Sequence, residues 1–462
     1  MSTPTPASPV PGARKYPRAL ILSLAAVLLL ALLLLWHHFQ QRQTERAMAE
    51  KLAAIRAQGF PASSAEIDAW YAEPPAGQNA ATLYLQAFQQ MVPLPLNNPW
   101  FDSQSSSNIF QRTNPIPPQA RIELASLTTS NQAALQLLHD GAKLTGARYP
   151  VNLSAGFNAL LPHLSQIRDA GKLLSAEALH HAVNDRAQPA VASLISGLRL
   201  GHSLSNEPIF ISCLVQIATY TETVRSLENL LHRITLPPGL LPPLLAELHR
   251  AENSLNLTRA LAGERCSGLG IFADPSQMLS VASSGAPPSP AEAFMASLYK
   301  ASGLQHQDHQ AYLQFMEASI QASQKPPEEM NAAFKKVEHD LEKQLTEHRW
   351  RIMFTSMLLP ALTKASDKKI ECLARLRLAH AALQLQLWQS THTNQLPDSL
   401  AAISEIPLDP FDAKPLRYRR TETGFLLWSI GPDMIDQGGK LRPKNYIKDD
   451  FDLIFTVERA TP

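Results

Sequence analysis

ALILSLAAVLLLALLLLW, residues 19–36, is the stretch on which the predicted organisation of the chain depends. The run carries no charge, and Ser23 is its one polar side chain. As an α-helix it rises about 27 Å, close to the roughly 30 Å hydrocarbon core of a bilayer. The pattern therefore predicts a single-span transmembrane helix at Ala19–Trp36, with the bulk of the 462-residue chain behind it.

The residues before this run predict its orientation. Residues 1–18 are rich in Pro, Ser and Thr, contain no acid and carry Arg14, Lys15 and Arg18, which is typical of a disordered cytoplasmic tail. The positive-inside rule then keeps the N-terminus in the cytoplasm and places the bulk of the chain on the other side of the membrane. A cleaved signal peptide is the alternative. The apolar run is longer than usual for one, and no small-x-small site follows closely, so we expect an uncleaved signal anchor.

The composition excludes some partners and favours helices. Lys and Arg total 41 against 40 Asp and Glu, so there is no charge excess to indicate nucleic acid. Aromatic residues make up 7% of the chain, and the frequent Leu and Ala favour helix over an all-β fold. The cysteines Cys213, Cys266 and Cys372 have no zinc-type spacing, and we expect free buried thiols, with one disulfide as the alternative.

Prolines and changes of polarity divide the rest of the chain. Residues 37–118 predict a stalk followed by an irregular N-terminal region. Residues 119–362 predict a helical domain, because apolar residues such as Leu164 and Ile167 recur at steps of three and four. Short links between these helices favour antiparallel, repeat-like hairpins. Glycines and prolines over residues 266–290 predict a loop.

The predicted secondary structure changes from helical to mixed helix and strand after about residue 366. A long amphipathic helix is predicted over residues 366–390, followed by β-like runs at 416–420, 424–430 and 452–457. One helix over a small antiparallel sheet makes an α+β module, which we assign to residues 366–462. The predicted fold class is therefore mainly α: a transmembrane helix, a helical-hairpin domain and a C-terminal α+β module.

Short motifs follow one another in this module. They are DPF at residues 409–411, Pro415 with Tyr418, and SIGPD at residues 429–433. Their order resembles that in the C-terminal domain of the major (G type) pseudopilins of bacterial type II secretion. The resemblance covers residues 366–457 and implies a link to a secretion or pilus-like envelope system. Together with the predicted span, it implies a bacterial inner-membrane location with the bulk of the chain periplasmic or otherwise extracytoplasmic. The apolar run lacks the prepilin-peptidase site of that family, so the chain is not a processed pilin subunit.

The same resemblance implies a calcium site. Pseudopilins of this type bind calcium through an acidic loop, and the matching residues here are Asp433, Asp436, Asp450 and Asp452. Calcium takes six to eight oxygen ligands, which carboxylates separated by glycines supply. The alternative is that Asp and Gly are simply common in turns. No other cofactor is implied.

A second resemblance concerns the start of the polar region. A GxP…E…W…P…GxNAA pattern extends from Gly59 to Ala81. It is similar to that of a group of uncharacterised membrane-anchored bacterial proteins, and it implies no activity.

Few residue patterns indicate chemistry, and we assign no catalytic residue. His306 and His309 are spaced to share a helix face and bind zinc, although a solvated helix end is the favoured interpretation. His180-His181 after Glu177 is a weaker pair of the same kind. Glu264-Arg265, beside Cys266, predicts a buried ion pair that positions the following loop.

The favoured function is therefore a non-enzymatic protein-interaction or structural role, with a protein partner in the envelope. The alternative is an envelope hydrolase whose site lies in the helical domain. The residues that distinguish the two are His163, Arg168, Asp169 and Glu264. Convergence of these side chains in a deep cleft would favour the enzyme, and a flat helical face would favour the binding protein.

Overall fold

The structure, a computed structural model, describes residues 18–93, 116–273, 302–348, 365–440 and 451–458, with isolated positions at 289–301 and 351–356. The chain divides into two compact units, Met1–Gln58 and Gly59–Pro462. The predicted N-terminal tail lies outside the described residues except for Arg18, where the first helix begins.

The first unit contains one long helix, α1 (Arg18–Ala57). Among the described residues, no helix is sufficiently long and apolar to cross a membrane. Beyond Trp36 the helix is mostly polar and carries charged residues such as Arg42 and Glu45.

The predicted transmembrane helix at Ala19–Trp36 is therefore wrong. The signal anchor, the membrane as a partner and the inner-membrane location with an extracytoplasmic bulk all depended on that span. These predictions are corrected together with it.

The second unit is mainly helical. Its helices are α2 (Ser64–Trp70), α3 (Ala80–Gln90), α4 (Pro118–Ser130), α5 (Gln132–Gly141), α6 (Pro162–Ala182), α7 (Ala187–His202), α8 (Phe210–Leu231), α9 (Leu241–Ser254), α10 (Leu257–Ala273), α11 (Leu304–Ser323), α12 (Pro327–His348) and α13 (Ala365–Thr391). Short 3₁₀ turns occur at Leu153–Asn158, Pro238–Leu240 and Leu400–Ala402. Prolines occupy the first turn of α4, α6 and α9, where their missing N–H breaks no helical hydrogen bond.

The core of this unit lies where α6, α7 and α8 pack against one another. The apolar stripe of α6 is buried as its spacing predicts, with Ile167 and Ala170 fully enclosed and Leu174 1% exposed. Small residues allow close approach in the same layer, because a Cβ at Gly201 would lie 2.6 Å from the Tyr220 ring. Tight packing of this kind fixes the relative positions of the three helices.

The loop predicted to start at residue 266 is wrong in its first part, because α10 continues to Ala273. The glycines there serve close packing rather than a turn. A Cβ at Gly263 would lie 1.8 Å from the carbonyl oxygen of Pro208, and one at Gly268 would lie 2.0 Å from the Tyr312 hydroxyl. Residues 274–288 lie outside the described part of the chain.

The C-terminal module contains the predicted helix and antiparallel strands. Strands β1 (Arg417–Arg420), β2 (Gly424–Ser429) and β3 (Leu453–Glu458) form an antiparallel sheet in the order β1-β2-β3. Helix α13 packs against β2 and β3. The mainly helical fold with a small C-terminal antiparallel sheet is therefore confirmed.

Helix α8 ties this sheet to the helical part of the chain. The Thr456 N–H donates to the Glu228 carboxylate over 2.8 Å, and His232 lies within hydrogen-bond distance of the Glu458 N–H and carbonyl. These side chains satisfy backbone groups of β3 that no strand of the described sheet pairs.

The three cysteines are free and buried, as predicted. Burial raises the pKa of the Cys213 thiol to about 11 and that of the Cys372 thiol to about 12. Neither thiol is ionised near neutral pH, so neither is an activated nucleophile.

Candidate functional site

A groove lies between α8 and α13. It consists of two adjoining cavities of about 430 and 510 Å³. Thr221 and Arg225 from α8, with Glu371 and Arg375 from α13, line both cavities. Because they share these residues, the two cavities adjoin, and Leu453 to Phe455 of β3 line the first of them.

The groove has apolar walls. Leu378 and Phe455 line the cavity next to the sheet, and Leu214 and Ala218 line the other. Ile211, one turn before Leu214 on α8, is 47% exposed. Residues 211, 214 and 218 lie on one helix face because they are three and four apart. This face therefore extends the apolar surface of the groove toward the start of α8.

Most charged side chains of the groove are paired within their own helix. Arg225 lies 2.5 Å from Glu222 on α8, and Lys368 lies 3.2 Å from Glu371 on α13. Arg375 differs, because it has neither a hydrogen bond nor an ion pair with any residue that the structure describes. It is half-buried and lines both cavities. The groove therefore combines apolar walls with one unpaired cation.

The four side chains that sequence reasoning grouped around His163 do not converge in a cleft. His163 is 3% exposed, whereas Arg168, on another face of α6, is exposed. Asp169 is half-buried and lies 3.7 Å from Lys172 on the same helix. Glu264 lies on α10. In the described residues these four side chains do not form the arrangement that would favour the enzyme.

His163 instead belongs to a buried network that sequence reasoning missed. Its Nε2 atom lies 3.0 Å from the Glu207 carboxylate, whose side chain is fully enclosed. The hydroxyls of Tyr71 and Ser212 also donate to this carboxylate. The Tyr149 ring stacks on the imidazole at 4.4 Å between centroids. All these groups have partners and are removed from solvent, so the network joins distant parts of the chain rather than binding substrate.

The predicted ion pair between Glu264 and Arg265 is also wrong. Consecutive residues on a helix point in different directions, and Arg265 pairs instead with Glu317 on α11. Arg265 also donates to the carbonyl oxygen of Pro61. Glu264 accepts a hydrogen bond from the Phe210 N–H in the first turn of α8, and burial raises its pKa from the ordinary 4.5 to about 7.

This raised pKa predicts a pH-dependent stability. Because the folded state holds a proton on Glu264 that the unfolded state releases, the free energy of unfolding falls as the pH rises from about 4.5 to about 7. Glu264→Gln stays neutral and still accepts from Phe210. It should be more stable than the wild type by up to about 3 kcal/mol near pH 8, with little difference near pH 4.5.

Denaturant unfolding at the two pH values measures this difference. Glu329→Gln is the matched control, because the Glu329 side chain is 61% exposed. An equal effect of Glu264→Gln at both pH values would contradict the assignment of the raised pKa to Glu264.

The acids implied to bind calcium are partly described. Asp450 lies outside the described residues. Asp452 accepts from the Gln437 and Gly439 N–H groups, Asp433 from the Ile435 N–H, and Asp436 from the Trp428 indole. No group of three His, Cys, Asp or Glu side chains in the described chain is placed to hold a metal. The calcium site, which includes Asp450, stays a prediction.

The histidine pairs serve different purposes. His309 stacks on Phe272 at 4.8 Å, and burial lowers its pKa to about 4, so the ring is neutral near pH 7. His180 contacts Arg186, whereas His181 lies 3.9 Å from Glu177. Sequence spacing placed Glu177 one turn before His181, but it did not indicate the stacking of His309 on Phe272 or the contact of His180 with Arg186.

Glu177 belongs to a second network that sequence reasoning missed. His139 on α5 places Nε2 2.9 Å from the Glu177 carboxylate on α6 and Nδ1 2.8 Å from the Ser196 hydroxyl on α7. Ser193 also donates to Glu177. Burial opposes ionisation of Glu177, but its hydrogen bonds with His139 and Ser193 prevail and lower its pKa. Ser196, His139 and Glu177 are the residue types of a hydrolytic triad, although the two ring nitrogens have the opposite partners and Ser196 is only 4% exposed.

Comparisons of the chain with protein-family models, curated proteins and solved structures find no match. Nothing in them supports the resemblance to pseudopilins or a link to type II secretion, so function must be argued from the geometry of the chain.

Proposed function

We propose that the chain is a binding protein whose groove between α8 and α13 accepts a segment of another protein. The segment carries a carboxylate side chain flanked by apolar residues. The observation that carries this proposal is Arg375, an unpaired, half-buried cation between apolar walls. A partner carboxylate gives this guanidinium a charge-assisted hydrogen bond while its neighbours fill the apolar walls.

The expected free energies of these contacts favour the binding of such a segment. A hydrogen bond to a charged group contributes about 1.5–3 kcal/mol, and each well-buried apolar side chain contributes a similar amount. The paired residues Glu222 and Glu371 do not compete strongly for Arg375, because each already has a cation close to it. The ion pair with Arg375 fixes the position of the bound segment, and burial of the segment's apolar side chains supplies most of the binding free energy.

Selection of displayed peptides on the full chain tests the proposal. We expect enriched sequences to share an acidic residue between apolar ones. Arg375→Ala should weaken their binding by about tenfold or more. Arg168→Ala, which removes an exposed arginine on α6, should leave binding unchanged. Enrichment with no shared acid, or peptides that bind Arg375→Ala as tightly as the wild type, would contradict the proposal.

A hydrolase is the second candidate, and the Ser196–His139–Glu177 arrangement is the observation that favours it. It ranks second because the serine is almost fully buried and a substrate carbonyl needs access to its hydroxyl. A fluorophosphonate probe should label the wild type and Ser193→Ala but not Ser196→Ala if this candidate holds. Absence of labelling on the wild type would exclude it.

A further inference from the structure

A smaller pocket, separate from the groove, opens where α5 and α7 end. Its volume is about 150 Å³. Four basic side chains line it: Lys143, Arg199, His202 and Arg250. No carboxylate is among the described residues that line this pocket. All the charged groups that line this pocket are therefore basic, whereas both acidic and basic side chains line the groove.

The chain holds the central guanidinium of this pocket in place. Arg199 donates from Nη1 to the carbonyl oxygen of Ala142 over 2.8 Å and from Nη2 to Glu247 over 2.6 Å. Glu247 also lies 3.4 Å from Arg250, and Asp140 lies 2.7 Å from Lys143. Three cations against two carboxylates leave one positive charge in excess.

Two buried nitrogen atoms of the pocket residues have no partner among the described residues. Arg199 Nε and His202 Nδ1 are both removed from solvent without a hydrogen bond to any described residue. Such groups cost free energy unless a ligand or water satisfies them. Burial and the charge of Arg250 lower the pKa of His202, so its ring is neutral near pH 7. Thr145, Ser205 and Asn206 add polar side chains to the lining.

We propose that this pocket binds a small oxyanion, either a carboxylate or a phosphate group. Such a group neutralises the excess charge and accepts charge-assisted hydrogen bonds from the Lys143 ammonium and the Arg250 guanidinium, which line the pocket. The proposal is independent of the function proposed for the groove, because Arg375 does not line this pocket.

Titration calorimetry of the full chain tests the proposal, with sodium phosphate and sodium acetate as separate probes at an ionic strength held constant with chloride. Saturable binding of one or both probes is expected. Arg250→Ala and Lys143→Ala should each weaken binding by about tenfold or more. Both side chains are more than half exposed, at 52% and 71%, so their removal should leave the fold intact. Far-UV circular dichroism checks that the fold is unchanged.

Lys172→Ala is the matched control, because Lys172 forms an i,i+3 pair with Asp169 just as Lys143 does with Asp140. It should bind as the wild type does. Binding of phosphate alone or acetate alone assigns the class of oxyanion and supports the site. No binding of either probe, or equal binding by the wild type and both pocket variants, would overturn it.

Discussion

Replacing Glu207 by alanine is expected to lower the free energy of unfolding by about 3–5 kcal/mol. The fully enclosed carboxylate accepts from Tyr71 and Ser212 and is bonded to His163. Its removal leaves these polar groups buried without a partner and opens a cavity beside the Tyr149 ring. Equilibrium unfolding in denaturant, followed by circular dichroism, measures the loss.

Two variants check the cause. Glu207→Gln keeps the side-chain volume and one acceptor, so we expect a smaller loss, about 1–2 kcal/mol. Glu73→Ala removes a 68% exposed partner of Arg148 and should change stability by less than about 0.5 kcal/mol. If Glu207→Ala were no more destabilising than Glu73→Ala, the buried network would not hold α2, α6 and α8 together as described.

Asp409→Asn is expected to destabilise the C-terminal module by about 2–4 kcal/mol. The Asp409 side chain is fully enclosed and accepts four hydrogen bonds: from the Phe411 and Ile430 N–H groups, the Ser429 hydroxyl and Arg417. The amide replaces one acceptor by a donor, which then faces other donors in a buried site. Thermal unfolding followed by circular dichroism measures the fall in melting temperature.

Asp398→Asn is the control for this prediction. Asp398 also pairs with an arginine of β1, Arg420, but its side chain is 97% exposed, so we expect almost no change. An Asp409→Asn melting temperature equal to that of the control would mean that the turn does not depend on the Asp409 carboxylate.

The contacts of Asp409 show which features of the C-terminal module could be predicted from the sequence. The DPF and SIGPD motifs were recognised separately, and the apolar periodicity with the β-like runs predicted a helix and three strands close to the observed bounds. Neither spacing nor order indicates that the Asp409 carboxylate binds Ser429 and the Ile430 N–H. Local periodicity predicts elements, whereas this contact arises only when two distant turns meet.

The same dependence on tertiary contacts explains why the sequence did not indicate the buried network around Glu207. His163 and Glu207 are 44 positions apart, and Tyr71 lies a further 92 positions before His163. No pattern along the chain brings these residues together. Gly268 contributed to the loop prediction because glycine is common in turns, but here it allows α10 to approach Tyr312. Tertiary packing overrode the local preference at this position.

The central claim is that Arg375 selects an acidic segment for the groove, and a charge swap measures it most directly. The dissociation constants of a selected acidic peptide and of its lysine-substituted version are compared on the wild type and on Arg375→Glu. We predict that the acidic peptide loses about tenfold or more in affinity for Arg375→Glu, and that the lysine version regains affinity for that variant. Equal affinity of the acidic peptide for both proteins, or no gain by the lysine version, would contradict the claim.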